Sequence, residues 1–228
     1  MTWYKEIGLK KNPFSIKPTD NNSLIGYEKI MQRIIYQIKI GNVIFLEGSY
    51  GTGKSSILKY INKELRHNIL YFNYSRKKSL HKSILKNRNL LQKLLMLRPK
   101  KMLILIDEAN LADSKDFDFL YEYYIMDHVK SIVFAGTNFK EVPFNKAFRS
   151  DTKLYNLNDI KANLAIEIIN NRLPNQELIS SVLAKRIFLL SSNNPRIYLE
   201  NLEDLFRRAH ELKQKKITKK DVDNFFKK

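Results

Sequence analysis

The stretch GSYGTGKSS opens at Gly48 with the spacing G-x-x-x-x-G-K-S, which closes at Ser55. Glycines at 48, 51 and 53 let backbone N–H groups turn inward, the geometry that wraps phosphate oxygens. Lys54 would neutralise the outer phosphates of a nucleoside triphosphate, and the Ser55 hydroxyl is a ligand of the kind Mg²⁺ takes. Thr52 and Ser56 complete the loop and the turn behind it, where helix N–H groups attract anions. Further along, MLILID runs into DEAN, so Asp107 and Glu108 follow five apolar residues as adjacent carboxylates. Such a pair is costly to bury without a cation. Asp107 is therefore the candidate to hold Mg²⁺ through its water shell. Glu108 is the candidate to orient and activate water for attack on a terminal phosphate. ATP and Mg²⁺ are the implied ligands, but kinases, motors and switches share this grip, so it does not name the reaction.

Both motifs need a frame that brings loop and carboxylates together. Apolar runs at 43–47 (VIFLE), 69–74 (ILYFNY), 102–107 (MLILID), 131–136 (SIVFAG) and 153–157 (KLYNL) alternate with helical patterns. Continuous apolar strands separated by helices are what a parallel sheet covered on both faces requires. One helical stripe joins Tyr27, Ile30, Met31, Ile34, Ile35 and Ile38, closed by Gly41. The next joins Ile57, Leu58, Ile61 and Leu65, and a basic helical pattern runs from Leu80 to Leu97 ahead of Pro99. After Leu157 no strand pattern returns. Helix starts are marked by Asn175 after Pro174, by Pro195, and by Thr218 with Asp221 as a capping box. The expected fold class is α/β, the parallel sheet of a P-loop NTPase followed by a C-terminal all-α lid domain. The expected division places the nucleotide-binding domain at 1–157 and the lid at 158–228.

Composition narrows the partners. Lys and Arg total 41 against 23 acidic residues, a net charge of +18 over 228 residues, which favours phosphate-rich partners or anionic membrane surfaces. Cysteine is absent and only four histidines occur, which excludes disulfides, thiolate catalysis and Cys-based zinc sites. No signal-type stretch opens the chain and no apolar run approaches the roughly 20 residues that span a bilayer. A soluble, cytoplasmic protein with no membrane span is expected.

The order of P-loop, acidic pair, polar strand end in SIVFAGTN and trailing helical region resembles the AAA+ ATPases. IDEAN, GTN and NNPR look most like the origin-recognition and replication-initiation ATPases and the secretion-type relatives that start with NPF. The resemblance implies several roles. Asn138, with Thr137 as competitor, would be sensor 1, which positions the attacking water. Arg149, in NKAFRSDTKLYNL, would be the arginine finger that enters a neighbour's site and makes hydrolysis depend on oligomers; an ordinary surface residue is the competing reading. Leu24, Ile25 and Tyr27 would pack beside adenine or simply within the core. Asn73 would pair with Glu108 as a switch on the base. Arg196, at the start of the helix in SSNNPRIYLENLEDL, would be sensor 2, reaching the terminal phosphate bound by its own subunit.

The connection SRKKSLHKSILKNRN often faces the central channel in AAA+ assemblies. Arg76, Lys77, Lys78, Lys82, Lys86 and Arg88 are thus DNA candidates, or else one solvated basic helix. No winged-helix pattern follows the lid, no SRC stands where clamp loaders carry their finger, and no insertion precedes sensor 1. The leading expectation is an ATPase acting on DNA or a DNA-bound complex, with an unknown protein client. The alternative is a nucleotide-controlled scaffold or switch whose client is an acidic protein. A small-molecule phosphotransferase is disfavoured by the lid and by Arg149.

Overall fold

A computed structural model describes residues 3–16, 25–65, 68–76, 79–87, 101–157, 163–173 and 176–227. Its contacts divide them into a sheet unit, residues 27–50 and 54–158, and a helical unit, residues 1–26, 51–53 and 159–228.

The sheet unit carries five parallel strands: β1 (Val43–Glu47), β2 (Ile69–Asn73), β3 (Met102–Asp107), β4 (Val129–Gly136) and β5 (Thr152–Asn156). They lie in the order β2-β3-β4-β1-β5. Every residue of β3 is buried, and β1 and β4 are nearly so, whereas the edge strands β2 and β5 show partial exposure. That gradient explains why the inner strands read as unbroken apolar runs. Register aligns Glu47 of β1 with Gly136 of β4 and Asn73 of β2 with Asp107 of β3, so the polar strand ends fall together at the carboxyl edge. Open α/β sheets bind ligands at that edge, where strand order reverses.

The helices α1 (Trp3–Glu6), α2 (Glu28–Lys39), α3 (Lys54–Leu65), α4 (Leu80–Lys86), α5 (Ser114–Ile125) and α6 (Lys146–Asp151) follow in chain order. α2 packs on β1 and β4, and α3 crosses β2, β3 and β4. The buried face of α2 is Met31, Ile34 and Ile38, part of the stripe expected from spacing, whereas Ile30 and Ile35 are only partly buried. Aromatic rings fill the core: Phe117 and Phe134 lie 4.6 Å and 5.1 Å from Phe144, which lies 5.0 Å from Phe148. The basic helix expected from Leu80 to Leu97 is described only as far as Asn87, where it ends after Lys86.

The helical unit contains α7 (Asn163–Arg172), α8 (Ser181–Leu190), α9 (Pro195–Glu211) and α10 (Lys219–Phe226) as well as α1. Pro195 stands in the first turn of α9 behind the N-cap Asn194, and Thr218 with Asp221 forms the expected capping box on α10. The helix start at Asn175 lies outside the described residues. Phe14 is fully buried in this unit, 5.7 Å from Trp3 and 5.0 Å from Phe206, so the N-terminal segment is part of the helical core. The Arg172 guanidinium donates to the carbonyls of Pro13 at 2.8 Å and Ser15 at 3.2 Å, pinning the same segment. Among the described residues no helix is long and apolar enough to cross a membrane.

Candidate nucleotide site

The loop after β1 is tied to β4 by Gly48 N–H donating to the Gly136 carbonyl at 3.2 Å. Gly51 and Gly53 sit at φ +89° and +90°, which an L side chain rarely adopts, so both turns need glycine. Lys54 opens α3 and folds back, its Nζ donating to the carbonyls of Gly48 at 2.6 Å and Ser49 at 2.8 Å. These bonds hold the ammonium over the mouth of the loop. Burial lowers the Lys54 pKa, while the charges of Glu108 and Asp107 pull it back up.

Asp107 is only 3% exposed, at the end of β3. Its Oδ1 accepts from the Ser55 hydroxyl at 3.1 Å and from the Glu108 N–H at 3.2 Å. Its Oδ2 accepts from the Tyr71 hydroxyl at 2.7 Å and from Asn73 Nδ2 at 3.2 Å. Neutral donors therefore satisfy the buried carboxylate, and burial alone does not demand a cation. Two sequence expectations change here. Only Asp107 of the acidic pair is buried. Glu108 is half-buried, its backbone in the left-handed region at φ +58°, a strained geometry for a non-glycine residue. Asn73, expected to pair with Glu108, binds Asp107 instead, because β2 and β3 align 73 with 107 and Glu108 lies one residue past that register.

Among the described residues no group of three or more His, Cys, Asp or Glu could hold a metal ion. A hydroxyl beside a carboxylate, Ser55 with Asp107, does fit the sparse protein share of a Mg²⁺ shell completed by phosphates and water. Tyr71 was missed at the sequence level. Its signal was alternation, since it lies two residues before Asn73 on the same face of β2. Burial first, and then the Asp107 bond, raise its pKa, so the phenol stays a donor.

At the end of β4 another missed residue, Asn110, acts as a clasp. Its Oδ1 accepts from Thr137 N–H at 2.6 Å and from the Thr137 hydroxyl at 3.2 Å, and its Nδ2 donates to the Asn138 carbonyl at 3.0 Å. A Cβ on Gly136 would fall 2.4 Å from Asn110 Oδ1, so the clasp needs glycine there. The Asn138 side chain donates to Glu141 at 2.8 Å and accepts from Lys140 N–H at 3.0 Å. Glu47 joins this edge by accepting from Phe139 N–H at 2.7 Å.

Arg149 donates to the carbonyls of Phe139 at 2.9 Å and Val142 at 2.6 Å, with its guanidinium carbon 5.1 Å from the Phe139 ring centroid and 5.9 Å from that of Phe144. Its fork is engaged by its own chain. Arg149→Ala is expected to cost about 2 kcal/mol of stability through lost charged hydrogen bonds and ring contacts. A urea melt checks this, and an unchanged midpoint would show the contacts to be idle.

In the helical unit the turn 51–53 lies against the start of α9. A Cβ on Gly51 would meet Asn194 Oδ1 at 2.6 Å and Arg196 Cβ at 2.8 Å. Arg196 Nε contacts Glu200 at 3.1 Å, one turn along α9. Ile25 packs against the helical core, Tyr27 is buried in the sheet unit, and Leu24 lies outside the described residues. Arg76, Lys82 and Lys86 are exposed, Lys82 and Lys86 on α4 above the buried Leu80 and Ile84. Lys77, Lys78 and Arg88 lie outside the described residues.

The parallel sheet, its order and the glycine-rich loop before α3 define the P-loop fold of the AAA type. Residues 41–150 match the sequence profile of the family AAA_14, described as an AAA domain. No curated protein matches the chain. Among solved structures it is similar to the Thermotoga maritima RuvB Holliday junction branch migration motor, with TM-score 0.68 and 19% identity over 92% of this chain and 71% of that one. A point mutant of RuvB from the same organism gives TM-score 0.65 and 19% identity over 89% and 70%. At such identity the likeness is one of fold.

Proposed function

We propose that the chain is an AAA+ ATPase that hydrolyses Mg-ATP to rearrange its helical lid and its neighbouring subunits, acting on DNA or a DNA-bound replication or recombination complex. The observation that carries the reading is the Ser55 hydroxyl 3.1 Å from Asp107, with Lys54 beside it at the head of α3 and Glu108 next in sequence. Bound Mg-ATP would supply the polarised terminal phosphoryl group and the metal charge. Lys54 and the loop N–H groups from Gly48 to Ser56 bind the phosphates, Ser55 and Asp107 hold the metal and its water, and Glu108 accepts the proton of the attacking water. Asn138 or Thr137 orients that water, and Asn73 governs the acidic pair through Asp107. Leu24, Ile25 and Tyr27 flank the base. Arg196 couples the terminal phosphate to the lid, residues 158–228 with the N-terminal segment packed into it. Arg149 acts on a neighbour's nucleotide once assembly draws it from its own carbonyls.

The DNA part of the reading is supported by the net charge of +18, by exposed Arg76, Lys82 and Lys86, and by a fold shared with a branch migration motor. Turnover is expected to rise when DNA is added. Neutralising Arg76, Lys82 and Lys86 together is expected to flatten the dependence of log K on log salt by about two units. Titration by fluorescence anisotropy reads the slope, and an unchanged slope would remove α4 from the DNA surface. A second reading, a nucleotide-controlled scaffold with an acidic protein client, is favoured by the engagement of Arg149 with its own chain. Slow, DNA-indifferent turnover together with nucleotide-dependent assembly would select it.

A further inference from the structure

A shallow cleft of about 540 Å³ lies in the sheet unit, lined by Lys29, Gln32, Arg33, Tyr36 and Gln37 of α2 and by Tyr155 of β5. None of these residues belongs to the phosphate loop or to the acidic strand end. Spacing explains the α2 contribution: 29, 33 and 36 fall on one helical face, opposite Met31, Ile34 and Ile38, which bury against the sheet. Lys153 shares the Tyr155 face of β5 by strand alternation and is exposed, adding a cation at the margin.

Three features limit what the cleft can recognise. Among the described residues that line it, the charged ones, Lys29 and Arg33, are both cations. Among the described residues neither Lys29 nor Arg33 has a salt-bridge partner. Tyr36 is 59% exposed, and Tyr155 offers a second ring at the cleft. Gln37 Oε1 accepts from Asn42 Nδ2, and Gln32 adds a second amide able to meet a polar edge. Cations interleaved with accessible rings and an amide suit a phosphate backbone carrying unstacked bases. In a duplex the base faces are hidden by stacking, so the rings gain nothing from it. An acidic peptide would use the cations but not the flat rings.

The geometry points to a binding site for single-stranded nucleic acid in the α2/β5 cleft, where Lys29, Arg33 and Lys153 track the backbone while Tyr36 and Tyr155 stack bases. The inference rests on the DNA reading above and adds a second surface to it, separate from α4. Binding here is indifferent to sequence and prefers single strands to duplex.

The test is anisotropy with fluorescein-labelled oligothymidylate and a duplex of equal length, over a range of salt, using the full chain. Tyr36→Ala is expected to weaken oligothymidylate binding about 5- to 150-fold, the span of one lost base stack, while Tyr36→Phe binds as wild type because only the ring is needed. Lys29→Gln with Arg33→Gln is expected to lower the single-strand salt slope by about 1.4. All of these side chains are exposed, and circular dichroism melts matching wild type verify folding. If wild type binds single strands and every cleft variant matches it, while the Arg76, Lys82 and Lys86 variant loses binding, the cleft is overturned and the DNA reading stands. If wild type binds neither oligonucleotide, the DNA reading fails and the cleft site fails with it. Tyr36→Ala weakening duplex and single strand equally would also overturn the cleft, since stacking cannot act on paired bases.

Discussion

Glu108→Gln is expected to slow ATP hydrolysis by about 10²- to 10⁴-fold while leaving ATP binding intact, the usual size of a lost general base. The geometry separates the two acids. Asp107 is buried and held by Ser55, Tyr71, Asn73 and the Glu108 N–H, which suits a fixed metal-side ligand. Glu108 emerges from that cluster through a left-handed backbone, half-buried, which leaves its carboxylate able to meet water. Glutamine keeps the volume and removes the basic oxygen, so binding is preserved and the chemical step suffers. Single-turnover hydrolysis beside fluorescent-nucleotide titration measures the two effects apart. Equal single-turnover rates for variant and wild type would move the base elsewhere. A matching loss in nucleotide affinity would mean that Glu108 supports the loop rather than the chemistry.

Phe14→Ala is expected to destabilise the helical unit by about 3–5 kcal/mol, the range for truncating a buried aromatic ring. Phe14 is wholly buried between Trp3 and Phe206, and its backbone N–H donates to Asn12 Oδ1 at 3.0 Å, which sets the turn that delivers the ring. Because Trp3 is the only tryptophan in the chain and lies in the same cluster, its fluorescence reports this unit directly. A denaturant melt followed by tryptophan emission should shift strongly for Phe14→Ala and less for Phe14→Leu, which refills part of the cavity. A shift below about 1 kcal/mol would show that the N-terminal segment only rests on the helices.

Much of the frame was legible because it is written in short-range patterns. The five strands lie within a residue or two of the apolar runs that marked them, since a strand buried on both faces must be apolar throughout. The turns at Gly51 and Gly53 and the helix start at Lys54 were legible because such a strand–loop–helix turn needs its glycines at fixed spacing. The Thr218–Asp221 box and Pro195 at the head of α9 were readable for the same reason, each being a local bargain between side chain and backbone.

What spacing could not supply was the partner of each polar group. Asn73 meets Asp107 because two strands far apart in sequence align there, and Tyr71 completes the same carboxylate from one pleat earlier. Asn110 reads as a plain loop residue, yet it clasps Thr137 and Asn138 across 27 and 28 residues of chain. Arg149 stands where a finger was expected, but carbonyls and rings from the preceding turn hold its guanidinium. The N-terminal segment reads as a preface to the sheet and is instead core of the helical unit, because Trp3 and Phe14 find their apolar surroundings on Phe206 and its neighbours. The sequence by itself determined where the glycine-rich loop turns and where strands and helices begin, since both follow from local backbone and side-chain chemistry. Only the tertiary structure decided which donors satisfy Asp107, what occupies Arg149 and where Phe14 is buried, because hydrogen bonding and desolvation are settled by neighbours in space.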